Sequence, residues 1–542
     1  MRMNQEEQCD SVQYRIMLKI SGFWSRLWKG NPPDLALTLV GLIVSLLMFI
    51  PISYVILQSV TAGSDRWLRL LDTRIPGLLY NTLTITFATT LVSIVLGVSL
   101  AWLVYRCNIP GRKLWQWIFA LPLMLPSYVG AVAYIMVFGP TGWINQTLGA
   151  GASPLNVYSF GGVLLVLSMF KFPYVFLVVG ASLRRLNRSH EDTARSLGLN
   201  TWGTFWKVNL PLLRPAIGAG AILTALCVLS EFGVVALLRY NTFTAAIYYQ
   251  MAGFDRQSAS ILSAVLIVLT LLFLWIESAN RRKQRFYQIS GTYRAAEPID
   301  LKSWRLPGLI WVLCVFLLSV LLPLAILFYW TVQGVRLGAI GGNFWGYTVN
   351  SIQVAGLAAL ICIFLALPVI YLRSRYPSVM SSLISKLSSS GYSLPGVIVA
   401  LGLIYIFNNY IPWLYNTFFL ISIAYVIRFL PQAMQYSDAS LSQISPRIDE
   451  AARNLGLNPL KVIIRVIVPL ISPGLLAGGG LVFVSAIKEL PATLLLRPPG
   501  FDTLAVRVWV EASEAVYHMA APAALLVVLV SLFPLKLMLS KY

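Results

Sequence analysis

Stretches of about 20 mostly apolar residues recur along this chain of 542 residues, and they constrain its fold more than any other feature. A helix of that length crosses about 30 Å of hydrocarbon while every backbone N–H and C=O finds a partner within the helix. Hydrophobic residues make up 58% of the chain and charged residues only 11%, a balance too apolar for a water-soluble domain. The sequence therefore predicts an all-α integral membrane protein whose surroundings are the lipid bilayer.

The apolar stretches divide into twelve predicted transmembrane helices, six in each half of the chain. The predicted spans cover residues 35–60, 82–105, 115–138, 161–182, 211–238 and 258–277, and then 306–332, 351–372, 392–410, 413–434, 469–487 and 518–535. We accordingly predict a cytoplasmic N-terminal segment at 1–33, a first half at 34–280, a cytoplasmic linker at 281–305 and a second half at 306–542. No signal-peptide cleavage pattern follows the first apolar stretch, so that helix is expected to remain as an anchor.

Lysine and arginine residues determine the predicted orientation of the spans. The net charge of +21 could suggest a nucleic-acid partner, but the basic residues fall between apolar stretches and not on a soluble face. One side of the predicted topology carries about 30 of the 41 basic residues, including Arg184-Arg185 and Arg281-Arg282-Lys283. Cytoplasmic loops are enriched in these residues. We therefore predict a multi-pass protein of a bacterial inner membrane, with both termini in the cytoplasm and no nucleic-acid partner.

The chain contains an internal duplication. Residues 192–200, D-T-A-R-S-L-G-L-N, recur as residues 450–458, E-A-A-R-N-L-G-L-N, at an offset of 450 − 192 = 258. This offset also pairs Pro211 with Pro469 and Glu231 with Glu489, whereas upstream an offset of 269 pairs Asn81 with Asn350, Arg106 with Arg375 and Pro126 with Pro395. The difference, 269 − 258 = 11, indicates a longer loop between the third and fourth helices of the first half. Because each repeat holds an even number of spans, the halves are predicted to be parallel, with both copies of the repeated loop in the cytoplasm.

The repeated loop has the composition of a short helix that ends in a tight turn. In the second copy Asp449 and Glu450 begin the helix, where carboxylates favour the positive end of the helix dipole. Gly456 suits the position that ends it, because glycine adopts the left-handed conformation at low cost. A second amphipathic stretch leads to Pro469, and since proline is favoured in a first turn, the next span is predicted to start there. Each half is thus expected to carry a stiff projection that can insert into a groove on another protein.

The spacing of this loop resembles that of a known family. Residues 450–469 run E-A-A, three residues, glycine and a closing V-I-V-P, which resembles the conserved cytoplasmic loop of ABC importer permeases. The first copy departs from the pattern at Thr193 but keeps Gly198. In that family the loop docks into the ATPase subunit. The resemblance therefore implies an ABC importer type I permease fold with coupling helices near 191–206 and 449–464, in loops at 187–210 and 445–468. The implied ATPase-coupling residues are Glu191, Asp192, Ala194, Arg195, Gly198, Glu450, Ala451, Ala452, Arg453 and Gly456.

The sequence lacks the motifs of an ATP site and of common catalytic sites. No G-x-x-x-x-G-K-[ST] loop and no Gly-Lys dipeptide occur in it, so we expect ATP and Mg²⁺ on a separate dimer of ATP-binding cassette subunits and no cofactor on this chain. His190 and His518 are the only histidines, and the five cysteines show neither C-x-x-C spacing nor a disulfide framework. An enzymatic role is therefore disfavoured, and the sequence assigns no metal ligands.

Further segments carry a narrower resemblance. Residues 488–498, K-E-L-P-A-T-L-L-L-R-P, followed by F-D-T-L-A at 501–505, are similar to the fused permeases of ferric-iron importers, as are S-E-F-G-V-V at 230–235, N-T-F-T at 241–244 and F-P-Y-V at 172–175. The resemblance implies that the chain translocates ferric iron delivered by a periplasmic ferric-iron-binding protein. Fused thiamine and phosphonate permeases are close relatives, so those cargoes remain alternatives.

Two intramembrane carboxylates are candidates for the translocation pathway. Glu231 follows Pro211 by 231 − 211 = 20 residues, which at about 1.5 Å per residue is roughly 30 Å, a full membrane crossing. Glu489 occupies the equivalent position in the second half. Both are therefore predicted near the outer ends of their helices, where they could flank the mouth of the pathway.

The alternative for these carboxylates is an ordinary salt bridge at the membrane boundary, with Arg239 for Glu231 and with Lys488 or Arg497 for Glu489. Another class of protein, an ion-gradient transporter, would also fit the composition and the parallel repeats. Such a transporter would need coupling carboxylates near the membrane midplane. The predicted outer-end position of the two glutamates argues against that class.

Other residues of the spans have structural interpretations. Lys171 and Arg428 each lie shortly before a proline in the fourth helix of their half, and we expect them to snorkel or to join a helix–helix salt bridge. The glycine-rich segments 218–220 and 478–480 predict close helix packing, with a hinge as the alternative. The expected mechanism is alternating access, in which ATP acts by favouring one state of the assembly.

Overall fold

The computed structural model describes Trp28 and residues 33–149, 151, 153–283 and 298–539. Most of the predicted N-terminal segment, 1–33, and of the predicted linker, 281–305, therefore lies outside the described residues. Within the described residues the regular structure is helical, with one isolated β-bridge between Cys107 and Ile299 and no strand. The predicted all-α class is confirmed.

The spans are apolar helices. Among the described residues, ten helices are long and apolar enough to cross a bilayer, and the shorter apolar helices Gly396–Tyr410 and Tyr517–Leu532 bring the number to 10 + 2 = 12. The first-half spans are Leu35–Thr61, Ile75–Arg106, Ser127–Phe138, Phe160–Arg184, Leu210–Leu229 and Arg256–Lys283. The second-half spans are Arg305–Phe316 with Leu322–Arg336, then Gly342–Arg375, Gly396–Tyr410, Phe418–Leu441, Val468–Ile487 and Tyr517–Leu539. Each corresponds to one predicted span, so the twelve-helix prediction is confirmed.

Shorter helices connect the spans. In the first half they are Ser64–Thr73, Arg112–Ile118, Trp143–Leu148, Arg188–Ser196, Thr201–Thr204, Gly233–Leu237 and Phe243–Ala252. In the second half they are Val379–Ser388, Arg447–Asn454, Pro459–Val462, Pro491–Leu496 and Leu504–Ser513. The 3₁₀ turns are Leu121–Leu123, Lys302–Trp304 and Ser390–Ser393, and the π-helical turns are Phe205–Asn209, Leu317–Leu321 and Ile463–Ile467. The connections before and after the fifth span of each half position the functional residues.

The third span of the first half begins later than predicted. The prediction started it at Trp115, but Arg112–Ile118 is a separate helix and the span begins at Ser127. Pro122 and Pro126 lie between the two helices, and each lacks a backbone N–H and restricts the residue before it. The late start leaves Ser127 at a helix end inside the protein, where it lines a cavity.

The fifth spans do not start at Pro211 and Pro469, as the sequence predicted. Each runs without a break from the repeated loop, over Trp202–Leu229 and Pro459–Ile487, and contains a five-residue π-helical turn shortly before the proline. Proline lacks an N–H and its ring clashes with the carbonyl four residues back, and the wider turn accommodates both effects. The repeated loop is therefore continuous with the helix that leads into the protein interior.

The first half and the second half interlock. The first span of the chain packs against Gly396–Tyr410 of the second half, where a Cβ added to Gly402 would lie 2.6 Å from the carbonyl oxygen of Pro51. On the other side, the hydroxyl of Tyr134 donates to the carbonyl of Leu318, in the seventh span, over 3.0 Å. Each half therefore holds the first span of the other.

The glycine-rich segments of the fifth spans are packing sites, as predicted. A Cβ added to Gly220 would lie 2.8 Å from the Cα of Val175 in the fourth span, and one added to Gly478 would lie 3.1 Å from the Cα of Ala433. Both contacts follow the repeat, since 478 − 220 and 433 − 175 equal 258. The backbones of the fourth and fifth spans are thus in close contact in each half.

Candidate functional site

The repeated loop forms one short helix in each half, Arg188–Ser196 and Arg447–Asn454, and we name these the paired loop helices. Both have acidic residues in the first turn, as predicted for the positive end of the helix dipole. Gly198 and Gly456 end them, each with φ of +85°, and each glycine N–H donates over 2.9 Å to a carbonyl of the last turn. The predicted left-handed conformation of Gly456 is confirmed, and Gly198 adopts the same conformation. Because six spans separate them, both helices lie at the same end of the bundle.

A buried ion pair anchors each paired loop helix to the second span of its half. Arg106, the last residue of its span, pairs with Glu191, and the two side chains are 2% and 6% exposed. Arg375, the last residue of the matching span, pairs with Asp449 at 3.1 Å between Nε and Oδ2, with both side chains 7% exposed. The four residues follow the repeat, since 375 − 106 = 269 and 449 − 191 = 258. Removing one partner of such a pair would leave an uncompensated buried charge, so each pair fixes the position of its helix.

Three of the implied ATPase-coupling residues are buried within this chain. Glu191, Ala194 and Ala452 are only 5%, 4% and 6% exposed, so a coupling role for them would act through the position of their helix. Glu191 anchors its helix, and the two alanine side chains are enclosed by the rest of the chain. The other implied residues are exposed on the paired loop helices and their turns: Asp192, Arg195, Gly198, Glu450, Ala451, Arg453 and Gly456.

The loop of each half also carries exposed apolar side chains that the sequence analysis missed. Three positions related by the offset of 258 are apolar and 56–85% exposed in both halves, and we name the two sets the apolar loop patches. Their members are Leu197, Trp202 and Trp206 in the first half and Leu455, Leu460 and Ile464 in the second. Exposed apolar residues grouped in this way indicate a surface that another molecule covers. A search for identical residues finds only the leucine pair, although all three pairs share their apolar character.

A cavity of about 260 Å³ lies between the two halves, and we name it the central cavity. Its lining includes five charged side chains, Lys171 and Glu231 from the first half and Arg428, Lys488 and Glu489 from the second. Burying a charged side chain among membrane-spanning helices costs free energy unless the charge is paired or binds a ligand. Both predicted pathway carboxylates therefore line one shared space.

Both carboxylate oxygens of Glu231 make polar contacts with the rest of the chain. It lies just past the end of the fifth span, and its Oε2 is 2.8 Å from Nζ of Lys171 in the fourth span. Ser127 donates its hydroxyl to the same oxygen over 2.7 Å, and Oε1 accepts the backbone N–H of Val234 at 3.4 Å. The carboxylate thus joins three spans and caps the short helix Gly233–Leu237 that follows the break.

Glu489 repeats this arrangement in the second half. It pairs with Arg428 in the fourth span, and its Oε1 accepts the N–H of Ala492 at 3.3 Å, in the first turn of Pro491–Leu496. In both halves the accepting N–H lies three residues after the glutamate, since 234 − 231 and 492 − 489 equal 3. The two carboxylates are therefore equivalent in structure as well as in sequence.

The salt-bridge partners predicted for these glutamates are wrong. Arg497 pairs with Asp502, and the guanidinium of Arg239 lies 5.5 Å from the ring centroid of Tyr158. Lys488 donates to a backbone carbonyl. The basic residues of the fourth spans pair with the glutamates instead, which confirms a helix–helix salt bridge, one of the two interpretations that the sequence left open for them.

The predicted outer-end position of the carboxylates is also wrong. Lys171 lies 11 residues after the start of Phe160–Arg184 and 13 before its end, and Arg428 lies 10 and 13 residues from the ends of Phe418–Leu441. The glutamates bound to them are thus level with the middle of the fourth spans. The sequence estimate counted 20 residues from Pro211 to Glu231 and took Pro211 as the start of the span. Pro211 instead lies within a helix that starts at Trp202, so the count does not give the depth of Glu231. The positional argument against an ion-gradient transporter therefore fails.

The fold and these two sites define a transport component of a membrane, with two parallel repeats around one cavity. A family model described as "Binding-protein-dependent transport system inner membrane component" matches residues 93–286 and 358–539, once in each half. The chain belongs to this family. It is a multi-pass permease component of a binding-protein-dependent importer, and family membership, not the depth of the glutamates, excludes the ion-gradient alternative.

Named relatives agree with the fused organisation. The chain is 35% identical over 517 residues, 94% of its length and 99% of the relative's, to the Fe(3+)-transport system permease protein FbpB 2 of Haemophilus influenzae. It is 26% identical over 449 residues, 77% of its length and 64% of the relative's, to the ferric transport system permease protein FbpB of Actinobacillus pleuropneumoniae. The sulfate transport system permease protein CysT of Escherichia coli is 28% identical over 252 residues, which cover 90% of that protein but 45% of this chain. Somewhat less than half of this chain therefore covers most of that permease.

Proposed function

We propose that this chain forms the membrane pathway of an ATP-driven importer that carries ferric iron delivered by a periplasmic ferric-iron-binding protein. The proposal for the cargo rests on the relative named for Fe(3+) transport, which is 35% identical over 94% of the chain. The sulfate permease matches only 45% of the chain and supports the class of importer, not a cargo. The metal is cargo and not a resident cofactor of the chain.

In this proposal the paired loop helices face the cytoplasm and each receives one subunit of a separate ATPase dimer, which binds ATP and Mg²⁺. The predicted excess of basic residues on that side supports the orientation, which also places both termini in the cytoplasm. The apolar loop patches would supply the buried centre of each contact, because exposed apolar groups of this kind favour a protein partner. The exposed charged residues around them, such as Asp192 and Glu450, would form the polar rim.

Closure of the ATPase dimer would reach the central cavity through one continuous helix in each half. Trp202–Leu229 has 28 residues and Pro459–Ile487 has 29, and at about 1.5 Å per residue each is roughly 42 Å long. Each helix ends two residues before its pathway glutamate. Because an ion pair holds each loop helix on the second span, a displacement of the loop would move two spans together. ATP would drive alternating access by binding one state of the assembly more tightly than the other.

The observation that carries this proposal is the matched connection between the two sites. In both halves, an anchored loop helix and an exposed apolar patch lead without a break in the fifth span to a paired carboxylate in the central cavity. A scaffold protein would need neither the exposed patches nor their connection to a polar cavity.

The docking part of the proposal is tested by charging the apolar loop patches. The double variant Leu197→Glu/Leu455→Glu should lose the ATPase subunit during affinity purification, because a carboxylate would be buried at each contact. Leu148→Glu is the matched control, since Leu148 is also exposed, at 75%, but lies in the loop after the third span. The proposal is wrong if the double variant retains the ATPase as well as the control does.

The cargo is tested by uptake into proteoliposomes that contain the purified assembly. Radiolabelled ferric iron, thiamine and a phosphonate would each be supplied on a candidate binding protein, with ATP enclosed. Accumulation of iron alone supports the proposal. Accumulation of thiamine or of the phosphonate in place of iron would keep the importer class and reject ferric iron as the cargo.

A further inference from the structure

Lys488 breaks the twofold symmetry of the central cavity. Its position in the first half, 488 − 258 = 230, is occupied by Ser230. Nζ of Lys488 donates to the backbone carbonyl of Leu123 over 3.1 Å, and no carboxylate of the described residues pairs with it. The duplication accounts for both glutamates but not for this lysine, which adds a cation to one half only.

Lys488 leaves hydrogen-bond donors unused at this cavity. The ammonium of Lys488 carries three N–H donors and uses one on a carbonyl. By contrast, both oxygens of Glu231 and both oxygens of Glu489 already accept hydrogen bonds. The unused N–H groups of Lys488 therefore favour a ligand that accepts hydrogen bonds.

The net charge of the side chains that line the cavity also favours a ligand that accepts hydrogen bonds and carries negative charge. Lys171, Arg428 and Lys488 face two carboxylates, which gives 3 − 2 = 1 net positive charge on the lining side chains. A bare ferric ion is a hard cation that needs anionic oxygen donors, and both carboxylates that line the cavity are held by cations of the chain. A ferric ion bound to an oxyanion brings its own oxygen ligands and its own negative charge.

We propose that the central cavity recognises an oxyanion bound to the ferric ion, so that iron crosses as an oxyanion complex, with Lys488 and Arg428 as the anion contacts. This inference rests on the proposed function and specifies the chemical form of its cargo. Ammonium and guanidinium groups form strong, charge-assisted hydrogen bonds to such oxygens. The two carboxylates then hold Lys171 and Arg428 in place, and the unused donors of Lys488 are left for the cargo.

The first test follows both parts of the cargo through the complete assembly. Binding protein loaded with ⁵⁵Fe and [³²P]phosphate, or with ⁵⁵Fe and [¹⁴C]citrate, would be given to proteoliposomes that contain the permease and its ATPase. We expect iron and anion label to enter in a constant ratio with at least one of the two anions. Entry of iron without either anion label would overturn the inference and leave iron import intact, whereas no entry of iron in any form would overturn the proposed function itself.

The second test changes Lys488 and keeps the rest of the cavity. Lys488→Met should lower ⁵⁵Fe uptake about tenfold, because one charge-assisted hydrogen bond is lost, and Lys488→Arg should retain most of it. Lys488→Glu separates the two forms of cargo, since it should abolish uptake of an oxyanion complex but maintain or raise uptake of a bare cation. Lys386→Met, at an exposed lysine on Val379–Ser388 outside the cavity lining, is the matched control.

Assembly is checked separately from transport in these variants. Each variant should co-purify with the ATPase and keep its thermal unfolding midpoint within the range of the Lys386→Met control. Wild-type uptake by either Lys488→Met or Lys488→Glu would overturn the inference. So would failure of Lys488→Arg to restore uptake in an assembly that is otherwise intact.

Discussion

The paired loop helices keep the same anchors and the same terminal glycines in the two halves, whereas the central cavity differs between the halves. At the loops, the anchoring ion pairs and the terminal glycines obey the repeat offsets. In the cavity the glutamates obey the offset of 258, but the cations Lys171 and Arg428 are 428 − 171 = 257 apart. Lys488 breaks the symmetry further, because the equivalent position in the first half is occupied by Ser230.

This difference agrees with the proposed partners of the two regions. Two identical ATPase subunits would require two similar docking sites. The end of the bundle that carries the paired loop helices is therefore expected to stay symmetric in a fused chain. A single cargo molecule has no twofold axis in general, so the cavity is free to diverge. Four predictions test this comparison.

The largest effect is expected from breaking the anchors of the paired loop helices. Arg106→Met and Arg375→Met each leave a buried carboxylate without its cation, and each should destabilise its loop by about 3–5 kcal/mol. Thermal and denaturant unfolding in detergent would measure the loss, together with recovery of the ATPase during purification. Similar losses in both variants would support a symmetric loop end.

A charge-free version of the same pair is the control for this prediction. The double variant Arg106→Met/Glu191→Met removes both charges and should recover most of the stability, because no buried ion is left alone. A large loss from one anchor and none from the other would contradict the symmetry of the loop end.

The next effect is expected at the glutamates of the central cavity. Glu231→Gln and Glu489→Gln keep an acceptor for the capping N–H but weaken the bond to Lys171 or Arg428. Iron uptake should fall about tenfold to a hundredfold, because hydrogen bonds between charged groups contribute about 1.5–3 kcal/mol. Co-purification with the ATPase should be unchanged. Unchanged uptake in both variants would reduce these pairs to structural salt bridges.

The sequence predicted the loop end far better than the cavity. The paired loop helices and their glycines were predictable because their signals are local, with acidic residues, alanines and a glycine within a few positions of one another. Arg106 was visible in the repeat, and Glu191 was among the residues implied by the family resemblance. Their pairing was not visible, because they are 85 residues apart in the chain and meet only through packing.

The depth and the partners of the glutamates were not predictable for a different reason. Pro211 carries a strong signal for a helix start, and only the π-helical turn before it allows the helix to continue through. The cations of the fourth spans differ by one residue in register between the halves, so alignment of the repeat does not pair them. Long-range ion pairs within a membrane depend on helix rotation, which local patterns do not specify.

A smaller effect is expected from the glycines that end the paired loop helices. Gly198→Ala and Gly456→Ala meet no atom within 4 Å, so the change acts through the backbone alone. An alanine at φ of +85° costs about 1–2 kcal/mol, and ATPase stimulation by loaded binding protein should fall equally in both variants. Gly218→Ala is the control, because it also meets no atom but lies within a helix. A control as impaired as the two variants would refute the backbone explanation.

The smallest effect is expected where the loop end itself departs from symmetry. Arg453 donates to the hydroxyl of Tyr376 over 2.8 Å, and this bond raises the pKa of Arg453. The matching position in the first half, 376 − 269 = 107, is the buried Cys107, which offers no hydroxyl. Tyr376→Phe should therefore lower the stability of the second loop only, by less than about 1 kcal/mol since Arg453 is largely exposed. A loss of ATPase stimulation as large as that of the anchor variants would instead make this hydroxyl part of the ATPase contact, and the two docking sites would then be unequal.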